Sequence, residues 1–162
     1  MMITITAHSG IYTLDAEQTL PITMNEAWTF LSTPANLAKI TPSHMGFVIT
    51  SNDVAAMYPG QIITYNIGIL PGIVTGWVTE ITHVEPGRYF VDEQRFGPYA
   101  MWHHEHWIEP LEGGVRMKDR VSYKLPLGPL GHLAQPFIKR QLTEIFSFRK
   151  SALEKLFPKP AL

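Results

Sequence analysis

The chain contains no cysteine, which excludes disulfides, thiolate nucleophiles and cysteine-ligated metals at once. Charge is sparse and balanced. Only 17% of the residues are Asp, Glu, Lys or Arg, and 13 basic against 14 acidic side chains leave a net charge of −1. A nucleic-acid-binding face needs a surplus of cations, so that class is set aside. No apolar run reaches the ~20 residues of a membrane span. The opening MMITITAHSG has neither a basic n-region nor a long apolar h-region, so no signal peptide is expected and the predicted location is cytoplasmic. Nucleophile motifs, phosphate loops and dinucleotide fingerprints are also missing.

What is present is an apolar-rich chain of 162 residues, 45% hydrophobic, with 12 Gly and 13 Pro largely gathered into turn dipeptides. No stretch reads as a linker, so a single domain over 1–162 with a sizeable core is expected. Ile11 to Leu20 alternates as a first strand, ended by Pro21. Thr23 with Glu26 three residues on makes a capping box, predicting a short helix over 25–31. Thr33-Pro34 opens a second short helix over 35–40, Pro being favoured at the first helical position. Strands are predicted at 47–50, 61–69, 74–84 and 88–96, bounded by turns at Pro59-Gly60, Pro71-Gly72, Pro86-Gly87 and Gly97-Pro98. That spacing predicts an antiparallel meander.

The two strands that follow carry the chemistry. Trp102, His104, His106 and Ile108 alternate with Met101, His103, Glu105 and Trp107, a period of two that places each set on its own face. Past the turn at 111–114, Val115, Met117, Asp119, Val121 and Tyr123 alternate with charged or polar residues. Folding that hairpin sets His106 opposite Asp119. Folding the preceding one sets Asp92 opposite His104, Phe90 opposite His106 and Gln94 near Trp102. Two histidines and two aspartates thus converge on the face expected to be buried. Left unpaired there, each would cost about 1–3 kcal/mol. Three readings stay open: hydrogen-bonded His106–Asp119 and His104–Asp92 pairs that hold register, the polar floor of a ligand pocket, or a His-x-His metal site completed by a carboxylate.

From His132 the period changes. Leu133, Phe137, Leu142, Ile145, Phe148, Ala152 and Leu156 recur at helical spacing, predicting a helix over about 133–156 with Pro136 in its first turn and Pro158 and Pro160 beyond its end. The stretch 125–131 is expected to be irregular. Arg149 is read as solvent-facing, and His83 and His132 as solvated. Trp107 faces outward, either as a homodimer contact or packed on a neighbour.

This order of a strand, two short helices, antiparallel strands and one long C-terminal helix resembles the helix-grip fold of the START / Bet v 1-like (SRPBCC) superfamily. The local wording is closer still. Phe90-Val91-Asp92-Glu93-Gln94, Gly97-Pro98-Tyr99, Trp102, His104, His106 and Leu125-Pro126-Leu127-Gly128 are similar to its bacterial ligand-binding and cyclase/dehydrase-like members. The resemblance implies an α+β domain in which a curved antiparallel sheet of six to seven strands wraps around the C-terminal helix over a cavity for a small hydrophobic or aromatic ligand. It implies no cofactor and no metal. Some members close aromatic rings or dehydrate polyketides, so a His-Asp pair moving protons is the enzymatic alternative. On this reading Asp92, His104, His106 and Asp119 form the polar floor, and the catalytic set if there is one. Gln94 and Tyr123 hydrogen-bond the ligand, and Trp77, Phe90, Trp102, Met117, Ile145 and Phe148 form apolar walls. Tyr65, Asn66 and Tyr58 are secondary pocket candidates, and the resemblance allows an arginine such as Arg149 to reach the cavity mouth.

Overall fold

The computed structural model describes residues 3–51, 56–70 and 72–159; the predicted turn residue Pro71 and the stop residue Pro160 lie outside these. The chain runs β1 (Ile3–His8), β2 (Ile11–Leu20), α1 (Met24–Leu31), 3-10 helices at Pro34–Ile40 and Ser43–Met45, β3 (Val48–Ile49), β4 (Ile62–Leu70), β5 (Ile73–Glu85), β6 (Tyr89–Phe96), β7 (Met101–Leu111), β8 (Gly114–Lys124) and α2 (Pro129–Leu156). The strands form one antiparallel sheet ordered β1-β2-β8-β7-β6-β5-β4-β3. The meander from β3 to β8 is as predicted, and β2 joins it along β8. β1 adds an eighth strand. Its signal is the Ile3-Thr4-Ile5-Thr6 alternation before Ser9-Gly10, both of which take positive φ in the turn to β2.

Local chemistry explains the first helices. Thr23 Oγ1 accepts from Glu26 N–H at 3.2 Å, and Glu26 Oε2 accepts from Thr23 N–H at 2.8 Å, so two orphan donors of α1 are satisfied reciprocally. The following helix, opened by Pro34, winds as a 3-10 turn. Together these elements cover one end of the sheet, where Ala27 and Ile40 pack against Leu20, Val115, Met117 and Leu153. A second apolar cluster, built on Leu14, Val121, Tyr123, Leu142 and Phe146, closes the other side. Register shifts between Val78 and Thr79, Ile81 and His83, and Gly68 and Leu70 are the irregularities that bend a sheet, and here they lie in the strands that curl toward α2.

α2 differs from its prediction in start and in phase. It begins at Pro129, a turn early. Gly131 makes this possible, because a Cβ there would sit 2.1 Å from the Pro126 carbonyl oxygen. Pro136 is therefore the eighth residue of the helix, inside it and not in its first turn. It removes one i→i−4 hydrogen bond at a solvent-exposed position. The buried stripe is Leu142, Phe146, Arg149 and Leu153. Leu133, Phe137, Phe148 and Leu156, expected on the core side, are exposed. At 28 residues and ~1.5 Å per residue the helix is ~42 Å long, enough to cross the sheet. Among the described residues no helix is long and apolar enough to cross a membrane.

Gly131→Ala should lower stability by about 1–3 kcal/mol, the usual range for overpacking. Urea unfolding would show it as a lower midpoint at unchanged slope; a midpoint equal to that of the native chain would mean that the 125–128 loop yields without cost.

Candidate functional site

β6, β7 and β8 lie side by side, and the period of two sends Phe90, Asp92, His104, His106 and Asp119 to their concave face. The backbone register is the one read from the sequence: Asp92 opposite His104, Phe90 opposite His106, His106 opposite Asp119. The side chains, however, cross over. Nε2 of His104 meets Asp119 Oδ1 at 2.9 Å, and Nε2 of His106 meets Asp92 Oδ2 at 2.7 Å. The expected pairs are the longer contacts, His106 Nδ1–Asp119 Oδ1 at 3.1 Å and His104 Nδ1–Asp92 Oδ2 at 3.5 Å. The two imidazoles lie 3.7 Å apart at their centroids, and Phe90 stacks on His106 at 4.1 Å.

A fifth member comes from α2. Arg149, read from sequence as solvent-facing, is buried, and its Nη1 donates to Asp119 Oδ1 at 3.0 Å. Its guanidinium also lies over the Phe146 ring, 4.8 Å from the centroid. The signal was present in the sequence. Leu142, Phe146, Arg149 and Leu153 follow a 4-3-4 spacing, which assigns Arg149 to the apolar stripe.

Protons can be allocated from these contacts, because an ionised carboxylate only accepts. Both nitrogens of His106 face carboxylate oxygens within hydrogen-bonding range, which calls for an imidazolium. His104 has one such contact and needs one proton, on Nε2. The titration directions agree. Burial alone would depress His106, but hydrogen bonds and charge from Asp119 and Asp92 outweigh it and raise its pKa. Burial, with the positive His106 beside it, lowers His104 to about 4. Burial would raise both aspartates. The positive charge and hydrogen bonds of the histidines and Arg149 overcome it, holding Asp92 below the usual carboxylate range and Asp119 well below it. Two anions and two cations then cancel in the wall of the core.

This cluster borders a cavity of about 160 Å³ between the sheet, α2 and the early helices. Trp77, Phe90, Trp102 and Ile145 line it, with Asp92, His104 and His106 in its wall. Lining residues that sequence reasoning missed include Phe146, Tyr99 and Leu37, and Arg149 also lines it. Tyr65 lines it as well, its hydroxyl 3.2 Å from Thr79 Oγ1 and its ring stacked on Trp77 at 5.8 Å. Burial, then the charge of Asp92, raises the pKa of that phenol.

Four predicted ligand contacts fall elsewhere. Gln94 is consumed locally: Nε2 donates to Tyr99 O at 2.7 Å and Oε1 accepts from Tyr99 N–H at 3.1 Å, closing the turn between β6 and β7. Met117 is packed in the cluster beneath α1. Tyr123 is wholly buried and stacks on Tyr12 at 5.4 Å. Phe148 is on the outer side of α2, because the helix phase brings Phe146 inward instead. Asn66 and Tyr58 are exposed. Trp107 stacks on Tyr89 at 4.4 Å and donates to Glu105 at 3.0 Å, so a neighbour accounts for its outward position. His132, expected to be solvated, lies 2.6 Å from the Tyr12 hydroxyl. Asp92, His104 and His106 also place three metal-capable atoms within 4.8 Å of one another.

Stability of the chelator-treated protein should peak near neutral pH and fall on both sides. Toward acid, the unfolded chain binds protons that native His104, Asp92 and Asp119 resist. Toward alkali, native His106 loses a proton that the unfolded chain has already given up near pH ~6.5. Arg149→Met should remove about 3–5 kcal/mol at pH 7 by stranding Asp119. Urea midpoints across pH 4 to 9 check both, and a flat profile would refute the charge allocation.

A family model described as Domain of unknown function (DUF8410) matches residues 31–157. A comparison with curated proteins finds no match. Among solved structures, a protein from Arthrobacter aurescens is 13% identical with a TM-score of 0.71, over 94% of this chain and 91% of that one. The structure of Ara h 8.0201 is 15% identical with a TM-score of 0.60, over 90% and 99%. The di-domain ARO/CYC StfQ from the steffimycin biosynthetic pathway is 14% identical with a TM-score of 0.62, over 90% of this chain and 51% of StfQ. At such identities the likeness is one of fold. Matched over most of its length, the chain belongs to the DUF8410 family, on the Bet v 1-like helix-grip fold.

Proposed function

We propose that the protein binds a small hydrophobic or aromatic molecule in the cavity between the sheet and α2. The observation that carries this reading is an interior space walled by Tyr65, Trp77, Phe90, Trp102 and Ile145 on which a buried, charge-balanced polar cluster also opens. Mostly apolar walls with a few convergent polar groups are the usual composition of a ligand site. The volume, about 160 Å³, is close to the ~150 Å³ that accommodates one benzene ring. A single-ring ligand fits without rearrangement, and a larger one must push α2 or the early helices outward. Trp77 Nε1 and Arg149 Nε are buried donors without a hydrogen-bond partner among the described residues. Each such orphan costs about 1–3 kcal/mol, so an acceptor oxygen on the ligand, as in a phenol or an aryl ketone, would recover part of that cost.

A second reading is proton transfer of the polyketide cyclase or dehydratase kind. One observation favours it: His106 holds a proton between two carboxylates at the cavity wall, and StfQ, a structural neighbour, is named as an ARO/CYC. In that case a ligand carbonyl oxygen takes the place of Asp92 at His106 Nε2 and receives that proton, while Asp119 at Nδ1 keeps the ring in place.

Quenching of tryptophan fluorescence by a panel of simple phenols and aryl ketones should saturate in the native chain. Ile145→Phe, which fills the cavity from the helix side, should weaken binding at least tenfold while the protein stays folded. Equal affinity in that variant would sink the cavity reading. Turnover of a bound ketone that disappears in His106→Gln with binding retained would select the enzymatic reading over the carrier one.

A further inference from the structure

The two carboxylates of the cluster are not equivalent. Asp119 lies behind both imidazoles, 2.9 Å from Nε2 of His104 and 3.1 Å from Nδ1 of His106, and is itself tied to Arg149 at 3.0 Å. Those contacts leave His104 Nδ1 and His106 Nε2 to turn toward a single atom, Asp92 Oδ2, at 3.5 and 2.7 Å. We propose that Asp92, His104 and His106 bind a divalent first-row transition cation, with Asp119 and Arg149 as the outer layer that orients the two imidazoles. The sequence leaves a His-x-His metal site open without assigning one, since the superfamily resemblance implies no metal; the unequal roles of the two aspartates appear only in the side-chain contacts.

A ligating imidazole almost always gives its other N–H to a carboxylate or carbonyl, which fixes its tautomer and raises its basicity. Here one carboxylate serves both rings, and the arginine behind it fixes that carboxylate. Rigid support of this kind is more than a register clasp needs. The three ligand atoms lie within 4.8 Å of one another. Metal–nitrogen and metal–oxygen bonds of ~2.0–2.2 Å require donor separations of roughly 3–3.5 Å, so the His104–Asp92 pair at 3.5 Å already fits, the His106–Asp92 pair at 2.7 Å must open slightly, and the two imidazole nitrogens must come within the same range. Two imidazoles and a carboxylate suit Zn²⁺, Fe²⁺ or Co²⁺ better than Mg²⁺ or Ca²⁺, which prefer all-oxygen cages. Three protein ligands leave coordination positions open, and these three residues line the cavity. In the metal-free protein the His106 Nε2 proton occupies the same point, so cation and proton compete for it. The site does not rest on the ligand-binding reading, since it can be filled with no organic molecule present.

The test uses the full-length, untagged, chelator-treated chain titrated with Co²⁺ and then Zn²⁺. One equivalent of Co²⁺ should bind saturably, develop visible d–d absorption and be displaced by Zn²⁺. His104→Ala should abolish the absorption. Asp119→Asn, which keeps all three ligands, should weaken binding ten- to a hundredfold. His103→Ala, on the opposite face of β7, should leave it unchanged. Should His104→Ala not fold, the native chain still decides the matter: Co²⁺ must shift the ring resonances of His104 and His106 and spare His103. The proposal is overturned if Co²⁺ does not saturate, if binding survives in folded His104→Ala, or if the paramagnetic shifts centre on His103.

Discussion

The contact between Arg149 of α2 and Asp119 of β8 is the constraint around which the interior is arranged. Two carboxylates buried on neighbouring strands carry a desolvation penalty of several kcal/mol each, and the sheet alone supplies only histidines to offset it. A guanidinium brought in by the helix completes the balance, and in doing so it fixes the rotation of α2. With Arg149 inward, Leu142, Phe146 and Leu153 must also face the sheet, while Phe148 is carried outward. Two further bonds pin the helix to both sides of the sheet: Gln18 Nε2 to Lys150 O at 3.1 Å, and Gln141 Nε2 to Ile69 O at 2.7 Å.

The same balance locks the register of the three central strands. A slip of one residue in β7 would turn His104 and His106 to the convex face and bring His103 and Glu105 inward, setting a third carboxylate beside Asp92 and Asp119. That specificity is not free. Well-packed apolar side chains of similar volume are often as stable as a buried ionic group, or more so. Register alone could be kept by the apolar alternation that flanks the cluster, with Ile108 across from Met117 and Val121 across from His104. A network whose partners are nearly all satisfied, set in the wall of a cavity, is better explained by use than by stability.

Much of this was legible in the sequence, and the reasons for the rest are specific. Period two in 101–124 gave both strands, their turn and the residues that share the inner face, because one slip reverses every side chain. The capping box gave α1. What strand periodicity does not encode is which nitrogen meets which oxygen. Each carboxylate sits within reach of two imidazoles, so the crossed pairing is a matter of side-chain rotamers. The phase of α2 was misread because two apolar stripes run along it, and only the one containing an arginine is buried. A buried Arg is rare unless paired, and its partner lies 30 residues earlier in the chain. The Gly131 approach was missed for a related reason: nothing local shows that the Pro126 carbonyl will lie against the first turn of the helix.

The neutrality of the cluster bears on what the cavity can hold. Opposite charges at 4 Å attract by about 1 kcal/mol in water and by about 4 kcal/mol at the effective dielectric of a protein interior. Apolar walls of Trp77, Phe90 and Trp102 move the site toward the second regime. There, a guest with net charge would upset a balance already closed by Arg149 and His106, whereas a neutral guest with one acceptor oxygen would not. A dication in place of the shared proton adds one positive charge. That charge would favour a bound oxygen turning anionic, as the oxygen of a phenol or an enolisable ketone does. The same geometry would therefore suit a neutral carbonyl compound when it holds a proton and the deprotonated, anionic form of that compound if it held a metal.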